Sequence, residues 1–262
     1  MTGQMVSGAI ERQWRIVSAL IMREMTTRFG RQGLGFAWVI GEPLLFCFGV
    51  LILWTATKPA YEHGVRLAPF VMTGYMSIIL MRHFLSLLAS AIQANLGLMY
   101  HREVAPLHLL ISRALLELGG ATGAFMVVYG VLLALNQVSL PHNYLLLYCG
   151  WLLLAWTALG FALLLTGLSM RYELMERLVP VIGYILVPIS GAFFMVSWLP
   201  GPARELIMFI PFVHGIEMLR SGVFGEFVPT YYNWPYALFT GAIMNIGGLL
   251  IISASRDRIE VE

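Results

Sequence analysis

Six long apolar runs, separated by short polar segments, dominate the pattern of this chain. Each run is close to the length of about 20 residues that one α-helix needs to cross the hydrocarbon layer of a bilayer. The predicted spans cover residues 36–57, 67–92, 113–135, 144–170, 178–199 and 234–255. The pattern therefore predicts an all-α polytopic membrane protein in which residues 1–262 form a single transmembrane domain.

Residues 10–31 precede the first span. Their apolar residues recur at the spacing of one helix face and do not form an unbroken apolar run. Their apolar side chains share one face of the predicted helix: Ile10, Trp14, Val17, Ile21 and Met25. The opposite face carries Arg12, Arg15, Arg23 and Thr26. An arginine-rich face backed by Trp and Ile is typical of an amphipathic helix that lies in the membrane interface. Packing of this helix on another subunit is the alternative interpretation.

The segment 203–222, before the last span, is apolar but interrupted by Pro211, His214 and Gly215. Apolar runs this short rarely cross a bilayer, and they are more often re-entrant or interfacial. The pattern predicts two half-helices that enter and leave the membrane from the same side.

The composition indicates a membrane environment, and the distribution of cations predicts the orientation of the chain in the membrane. The chain is 59% hydrophobic and 11% charged, whereas soluble domains carry about 25% charged residues. Eleven cations lie on one side of the predicted membrane: Arg12, Arg15, Arg23, Arg28, Arg31, Arg102, Arg113, Arg171, Arg177, Arg256 and Arg258. Four lie on the other: Lys58, Arg66, Arg204 and Arg220. This asymmetry predicts that both termini and the 93–113 loop are cytoplasmic, and that the re-entrant pair faces outward.

Several kinds of catalytic site are absent from the sequence. A P-loop requires a lysine after a glycine-rich turn, and the only lysine, Lys58, follows no such turn. No His and Cys spacing is typical of a zinc site. Ser190 and His214 come nearest to an intramembrane serine protease, but Pro188 occupies the position of the first glycine. The sequence thus predicts no metal, no cofactor and no enzyme activity in this chain, and favours transport or anchoring.

Three polar segments carry a resemblance to a known family. They are LIMREMTTRFGRQGLGFAWVIGEPLL (residues 20–45), AIQANLGLMYHREVAPLHLLISRALLE (residues 91–117) and IPFVHGIEMLRSGVFG (residues 210–225). In this order and spacing they resemble the entry segment, the coupling loop and the outer re-entrant segment of the membrane subunit of ABC-type group 2 capsular polysaccharide exporters, the KpsM-type permeases.

The resemblance implies a homodimer in the bacterial inner membrane with two copies of a separate cytoplasmic ABC ATPase, which would bind ATP and Mg. It also implies a periplasmic co-polymerase or adaptor, an outer-membrane exporter, and a lipid-linked anionic polysaccharide as cargo; nucleic acid is not expected as a partner. Two alternatives remain open. One is an exporter of another lipid-linked glycan, such as O-antigen or teichoic acid, or of a small hydrophobic compound. The other is a membrane enzyme or scaffold without transport activity.

The longest internal polar loop, residues 95–108, is the predicted contact with the ATPase. A transporter without its own ATPase needs a cytoplasmic element that receives the nucleotide-driven motion. The candidate coupling residues are Asn95, Leu98, Tyr100, His101, Arg102 and Glu103. A solvated connector is the alternative.

The candidates for the translocation path are Arg28, Arg31, Trp38, Glu42, Arg82, Tyr184, Phe193 and Phe194. Arg82 lies inside a predicted span, where a charge costs about 2.5–3.5 kcal/mol and normally faces a protein interior or an aqueous path. Three interpretations of Arg82 remain open. Its side chain faces an anionic polymer in the path, pairs with another residue of the chain such as Glu42, or extends to the membrane interface. Arg28 and Arg31 are candidates for a lipid-linked phosphate or for ordinary cytoplasmic anchoring. The aromatic candidates follow from the resemblance, since the first and fifth spans line the pore in this family.

His214, Glu217 and Arg220 recur every three residues on one face of the second half-helix. This spacing predicts a local network that braces the outer gate. A mutual salt link without a role in gating is the alternative.

Overall fold

The computed structural model describes residues 2–29, 35–95, 97 and 104–255. These residues form nine α-helices, one short β-hairpin and three short 3-10 helices. The α-helices, in chain order, are α1 (Thr2–Phe29), α2 (Gly35–Thr57), α3 (Leu67–Ala89), α4 (Pro106–Ala134), α5 (Tyr144–Arg171), α6 (Glu173–Ile189), α7 (Gly201–Ile207), α8 (Pro211–Phe224) and α9 (Trp234–Ala254). The hairpin pairs β1 (Tyr61–Glu62) antiparallel with β2 (Val65–Arg66), and the 3-10 helices are Gln93–Asn95, Val196–Trp198 and Gly225–Phe227.

The prediction of an all-α polytopic membrane protein is confirmed. Five of the described helices, α2, α3, α4, α5 and α9, are long and apolar enough to cross a membrane. The consecutive helices α7 and α8 form a pair bent by 106°, which has the shape of a broken span or a re-entrant loop. The number of spans by length and composition is therefore five, or six if the bent pair is one span.

The end of α3 and the start of α4 differ from the limits of the apolar runs. Helix α3 ends at Ala89, and helix α4 begins at Pro106, before the apolar run that starts at residue 113. Proline is favoured at the first position of a helix because its missing N–H has no intrahelical partner there. The first turns of α4 thus extend beyond the predicted span and place residues 106–112 beside α1.

Helix α6 ends at Ile189, whereas the fifth apolar run continues to residue 199. At 17 residues, α6 is about 25 Å long, shorter than each of the five helices that are long enough to cross a membrane. Pro188 lies in its last turn, and Gly191 has a φ of +85°, in the left-handed region that favours glycine. Residues 190–195 therefore form a loop within the apolar run, and their backbone groups need partners from elsewhere in the protein.

Helix α5 lies at the centre and packs closely on α8 and α9. A Cβ built at Gly150 of α5 would be 2.3 Å from the backbone nitrogen of Leu219, and one at Gly222 of α8 would be 2.4 Å from that of Leu147. Glycines allow membrane helices to approach each other to backbone contact, where packing replaces the hydrophobic effect as the force between them. These contacts fix α8 against the core, and α8 carries the polar residues described next.

Candidate functional site

Arg220 of α8 is completely buried and binds the loop that follows α6. Its guanidinium donates to the carbonyl oxygens of Gly191 (2.7 Å), Ala192 (2.6 Å) and Phe194 (2.7 Å). It also lies 4.5 Å above the ring of Phe70 of α3. Non-helical backbone within an apolar region is tolerated only where the protein itself satisfies it, and Arg220 satisfies the carbonyl groups of this loop.

Glu217 and His214, on the same face of α8, bind two other non-helical segments. Glu217 accepts from the backbone N–H groups of Val196 (3.3 Å) and Tyr231 (3.1 Å). The Nδ1 atom of His214 accepts from the backbone N–H of Asn233 at 3.0 Å, so its Nε2 carries the hydrogen that is donated to the carbonyl of Met208 at 2.9 Å. Both side chains are 1% exposed.

The three residues therefore form one structural unit, here called the α8 network: His214, Glu217, Arg220 and their backbone partners. Glu217 and Arg220 also contact each other at 3.6 Å, a longer distance than their hydrogen bonds to the backbone. The geometry indicates a brace that joins the loop after α6, the α7–α8 turn and the segment before α9. A role of this brace in gating stays a prediction.

A second polar region lies between α3 and α6. It is a cavity of about 400 Å³, here called the α3–α6 cavity, and its polar side chains are Arg82, Ser86, Ser90, Ser169, Glu176 and Tyr184. The guanidinium of Arg82 lies 5.5 Å from the centre of the Tyr184 ring, within reach of a cation–π contact. Two predicted path residues from different spans thus line one cavity, and both are exposed in the single chain.

The remaining path candidates lie apart from this cavity. Trp38 and Glu42 are exposed on α2, and within the described residues no hydrogen bond or ion pair joins Glu42 to Arg82. Phe193 packs its ring edge on Tyr75 and stacks near Trp54 of α2. Phe194 contributes the carbonyl that Arg220 binds. The side chain of Arg28 and the whole of Arg31 lie outside the described residues.

The third polar region joins α1 to the rest of the chain. Glu24 of α1, 9% exposed, forms an ion pair of 3.1 Å with Arg113 of α4. Arg113 also donates to the carbonyl of Leu87 at 2.7 Å, and Arg23 donates to the side chain of Asn95 at 2.9 Å. These residues, Arg23, Glu24, Asn95 and Arg113, are here called the α1 cluster.

The buried face of α1 differs from the amphipathic face in the sequence. Val17 and Leu20 are 5% and 7% exposed, whereas Trp14 is 59% exposed. Trp14 can therefore contact the membrane interface or another subunit. These are the two interpretations that the sequence pattern allows for this helix.

Of the predicted coupling residues, only Asn95 lies in the described part of the chain. Leu98, Tyr100, His101, Arg102 and Glu103 lie outside it. Asn95 is 7% exposed, and its amide group also donates to the carbonyl of Ala91 at 2.9 Å.

Several residues of these regions were not singled out from the sequence. His83 and Glu117 form a 2.9 Å contact between α3 and α4, and Gln93 donates to Glu176 of α6 at 2.9 Å. A signal existed for Glu117, because an acid inside an apolar run usually has a partner. Within the described ranges, no group of three or more His, Cys, Asp or Glu residues is arranged to hold a metal ion.

Comparison with known proteins gives the family. The chain is 34% identical over 248 residues to the capsule polysaccharide export inner-membrane protein CtrC of Neisseria meningitidis, and the match covers 95% of this chain and 94% of CtrC. It is 33% identical, with the same coverage, to the inner-membrane protein BexB of Haemophilus influenzae, also named for capsule polysaccharide export. The polysialic acid transport protein KpsM of Escherichia coli is 29% identical over 252 residues, which are 93% of this chain and 95% of KpsM. Residues 15–224 match the model of the ABC-2 type transporter family, and the chain belongs to that family.

Proposed function

We propose that this chain is the membrane subunit of an ATP-driven exporter that moves lipid-linked capsular polysaccharide from the cytoplasm to the periplasm. The observation that carries the proposal is the similarity to CtrC and BexB over 95% of the chain. Their names describe inner-membrane proteins of capsule polysaccharide export. Because the similarity covers 95% of the chain, it applies to the domain rather than to one segment.

The energy for export comes from a separate protein. This chain contains no P-loop, so ATP and Mg bind to a cytoplasmic ABC ATPase. We propose two ATPase copies on a homodimer of this chain, with the 95–108 loop as their contact. A periplasmic co-polymerase or adaptor and an outer-membrane exporter complete the route. The arginine distribution supports cytoplasmic termini in the inner membrane.

The α3–α6 cavity is the proposed binding site for the moving polymer. Arg82 offers a guanidinium that binds a carboxylate or a phosphate in a two-pronged manner, and Tyr184 offers an exposed ring beside it. The serine hydroxyl groups add donors and acceptors for sugar hydroxyl groups. An anionic sugar residue fits this combination of a cation, an aromatic ring and polar acceptors.

We expect Arg82→Gln to lower export about tenfold without lowering the amount of protein, because Arg82 is exposed and the loss of a charged hydrogen bond has about that effect. The measurement is the amount of capsule on the surface of a host strain whose own membrane subunit is deleted and replaced by this chain with its ATPase. Arg171→Gln, at the exposed end of α5, is the matched control and should export normally.

Two results of this experiment would count against the proposal. If the intact chain and its ATPase restore no capsule while another lipid-linked glycan reaches the surface, the cargo is wrong. If capsule is restored and Arg82→Gln exports as much as the intact chain, the cavity is not part of the path.

A further inference from the structure

We infer that the 3-10 turn Gln93–Asn95 transmits nucleotide-driven movement from the cytoplasmic loop to the α3–α6 cavity, with Gln93 and Asn95 as positioning residues. The inference rests on the proposed function, because it concerns how an ATPase would act on that cavity. The turn directly precedes the loop that is predicted to contact the ATPase. Its two polar side chains point to two different parts of the protein.

The first contact connects the turn to the wall of the cavity. The side-chain amide of Gln93 donates to the carboxylate of Glu176 at 2.9 Å. Glu176 lies in the first turn of α6 and lines the same cavity as Arg82 and Tyr184. Movement of Gln93 therefore acts on the first turn of the helix that carries Tyr184.

The second contact connects the turn to α1. The side-chain oxygen of Asn95 accepts from Arg23 at 2.9 Å, and the adjacent Glu24 pairs with Arg113 of α4. Asn95 is buried and also binds the carbonyl of Ala91, so its side chain is held on two sides. This contact joins the turn to α1, while the first contact joins it to α6.

Of α3 and α6, which both line the cavity, α6 is the less buried in the single chain. Val179 is the single buried residue of α6 among those described, whereas 67% of the residues in the most apolar parts of α3 and α5 are buried. Elements with few buried apolar contacts open or shift at low free energy. A displacement of the turn thus moves α6 more readily than it moves α3, and it changes the width of the cavity between them.

The contact between Gln93 and Glu176 is exposed, so its loss should not unfold the protein. Exposed polar pairs contribute little to stability. A defect caused by its loss would therefore appear in the coupling between ATP hydrolysis and export. A normal amount of folded protein with reduced export per ATP would therefore distinguish a role of Gln93 in transmission from a role in stability.

The test is a reciprocal exchange in the full complex of this chain with its ATPase. Gln93→Glu places two carboxylates in contact and should lower the capsule exported per ATP hydrolysed about threefold to tenfold. The double variant Gln93→Glu with Glu176→Gln restores an amide–carboxylate pair in the opposite direction, and export per ATP should return to within about twofold of the original. Glu176→Gln alone keeps an amide-to-amide hydrogen bond and should have a small effect.

Glu173→Gln is the matched control, since Glu173 is an exposed acid of the same turn that pairs with Arg177 instead. It should leave export per ATP unchanged. The inference is overturned if Gln93→Glu exports normally per ATP, or if the double variant is reduced as much as Gln93→Glu. In either case, export by the intact chain still supports the proposed function. An intact complex that exports nothing would overturn the proposed function and this inference together.

Discussion

Replacement of Arg220 by methionine is expected to prevent the folded protein from accumulating in the membrane. Methionine leaves the carbonyl groups of Gly191, Ala192 and Phe194 without donors and leaves Glu217 buried without its cation. Removing one partner of a buried charged network costs about 3–5 kcal/mol, a large part of the stability of most proteins. The measurement is the amount of monodisperse protein after solubilisation in mild detergent.

Two further variants show whether charge or geometry is responsible. Arg220→Lys keeps the charge, but an ammonium group lacks the planar fork that binds several carbonyl groups, so we expect a marked loss of folded protein here as well. Arg66→Met removes an exposed arginine with one hydrogen bond, to the carbonyl of Asn136, and should accumulate normally. Normal amounts of folded Arg220→Met protein would show that the loop after α6 does not need this side chain.

The second large effect is expected at the contact between α5 and α8. Gly150→Ala would place a Cβ 2.3 Å from the nitrogen and 2.7 Å from the Cα of Leu219, and backbone atoms cannot rotate away as a side chain can. Such overpacking costs about 1–3 kcal/mol or more, and each kcal/mol lowers the unfolding temperature by about 2–4 °C in a protein of this size. We expect the midpoint of thermal unfolding in detergent to fall by about 4 °C or more.

The control for this substitution is Gly119→Ala on α4, where an added Cβ meets no atom within 4 Å. Alanine has a higher helix propensity than glycine, so Gly119→Ala should unfold at the same temperature as the intact chain or slightly higher. An equal effect of both substitutions would mean that the loss at Gly150 does not arise from the contact between the helices.

The spanning helices could be predicted from the sequence because length and hydropathy decide them locally. Helices α2, α5 and α9 begin or end within a residue or two of the apolar runs that predicted them. The end of α6 could not be read in this way. An apolar run continues through residues 190–199, but its backbone leaves the helix where Arg220 of α8, 28 positions after Ala192, supplies the hydrogen bonds that the loop lacks. Pro188 and Gly191 were the only local signs of this break.

The candidate site was predicted residue by residue but not as a set of contacts. The sequence predicts both Arg82 and Tyr184 as residues of the translocation path. Their contact, however, depends on how α3 and α6 pack against each other. Arg23 belongs to the first family motif, but nothing in the sequence pairs it with Asn95, which lies 72 positions further along. Contacts of this kind depend on tertiary packing, and a single sequence carries no local signal for them.

The central claim is that this chain is the membrane subunit of a transporter whose ATPase is a separate protein. It is tested most directly by purifying the tagged chain in mild detergent after co-expression with the proposed partner ATPase. The same purification is done with Tyr100, Arg102 and Glu103 of the predicted coupling loop changed to alanine. We predict that the intact chain retains equal amounts of ATPase and that the triple variant loses the ATPase or its coupled activity. An intact chain that retains no ATPase would contradict the account.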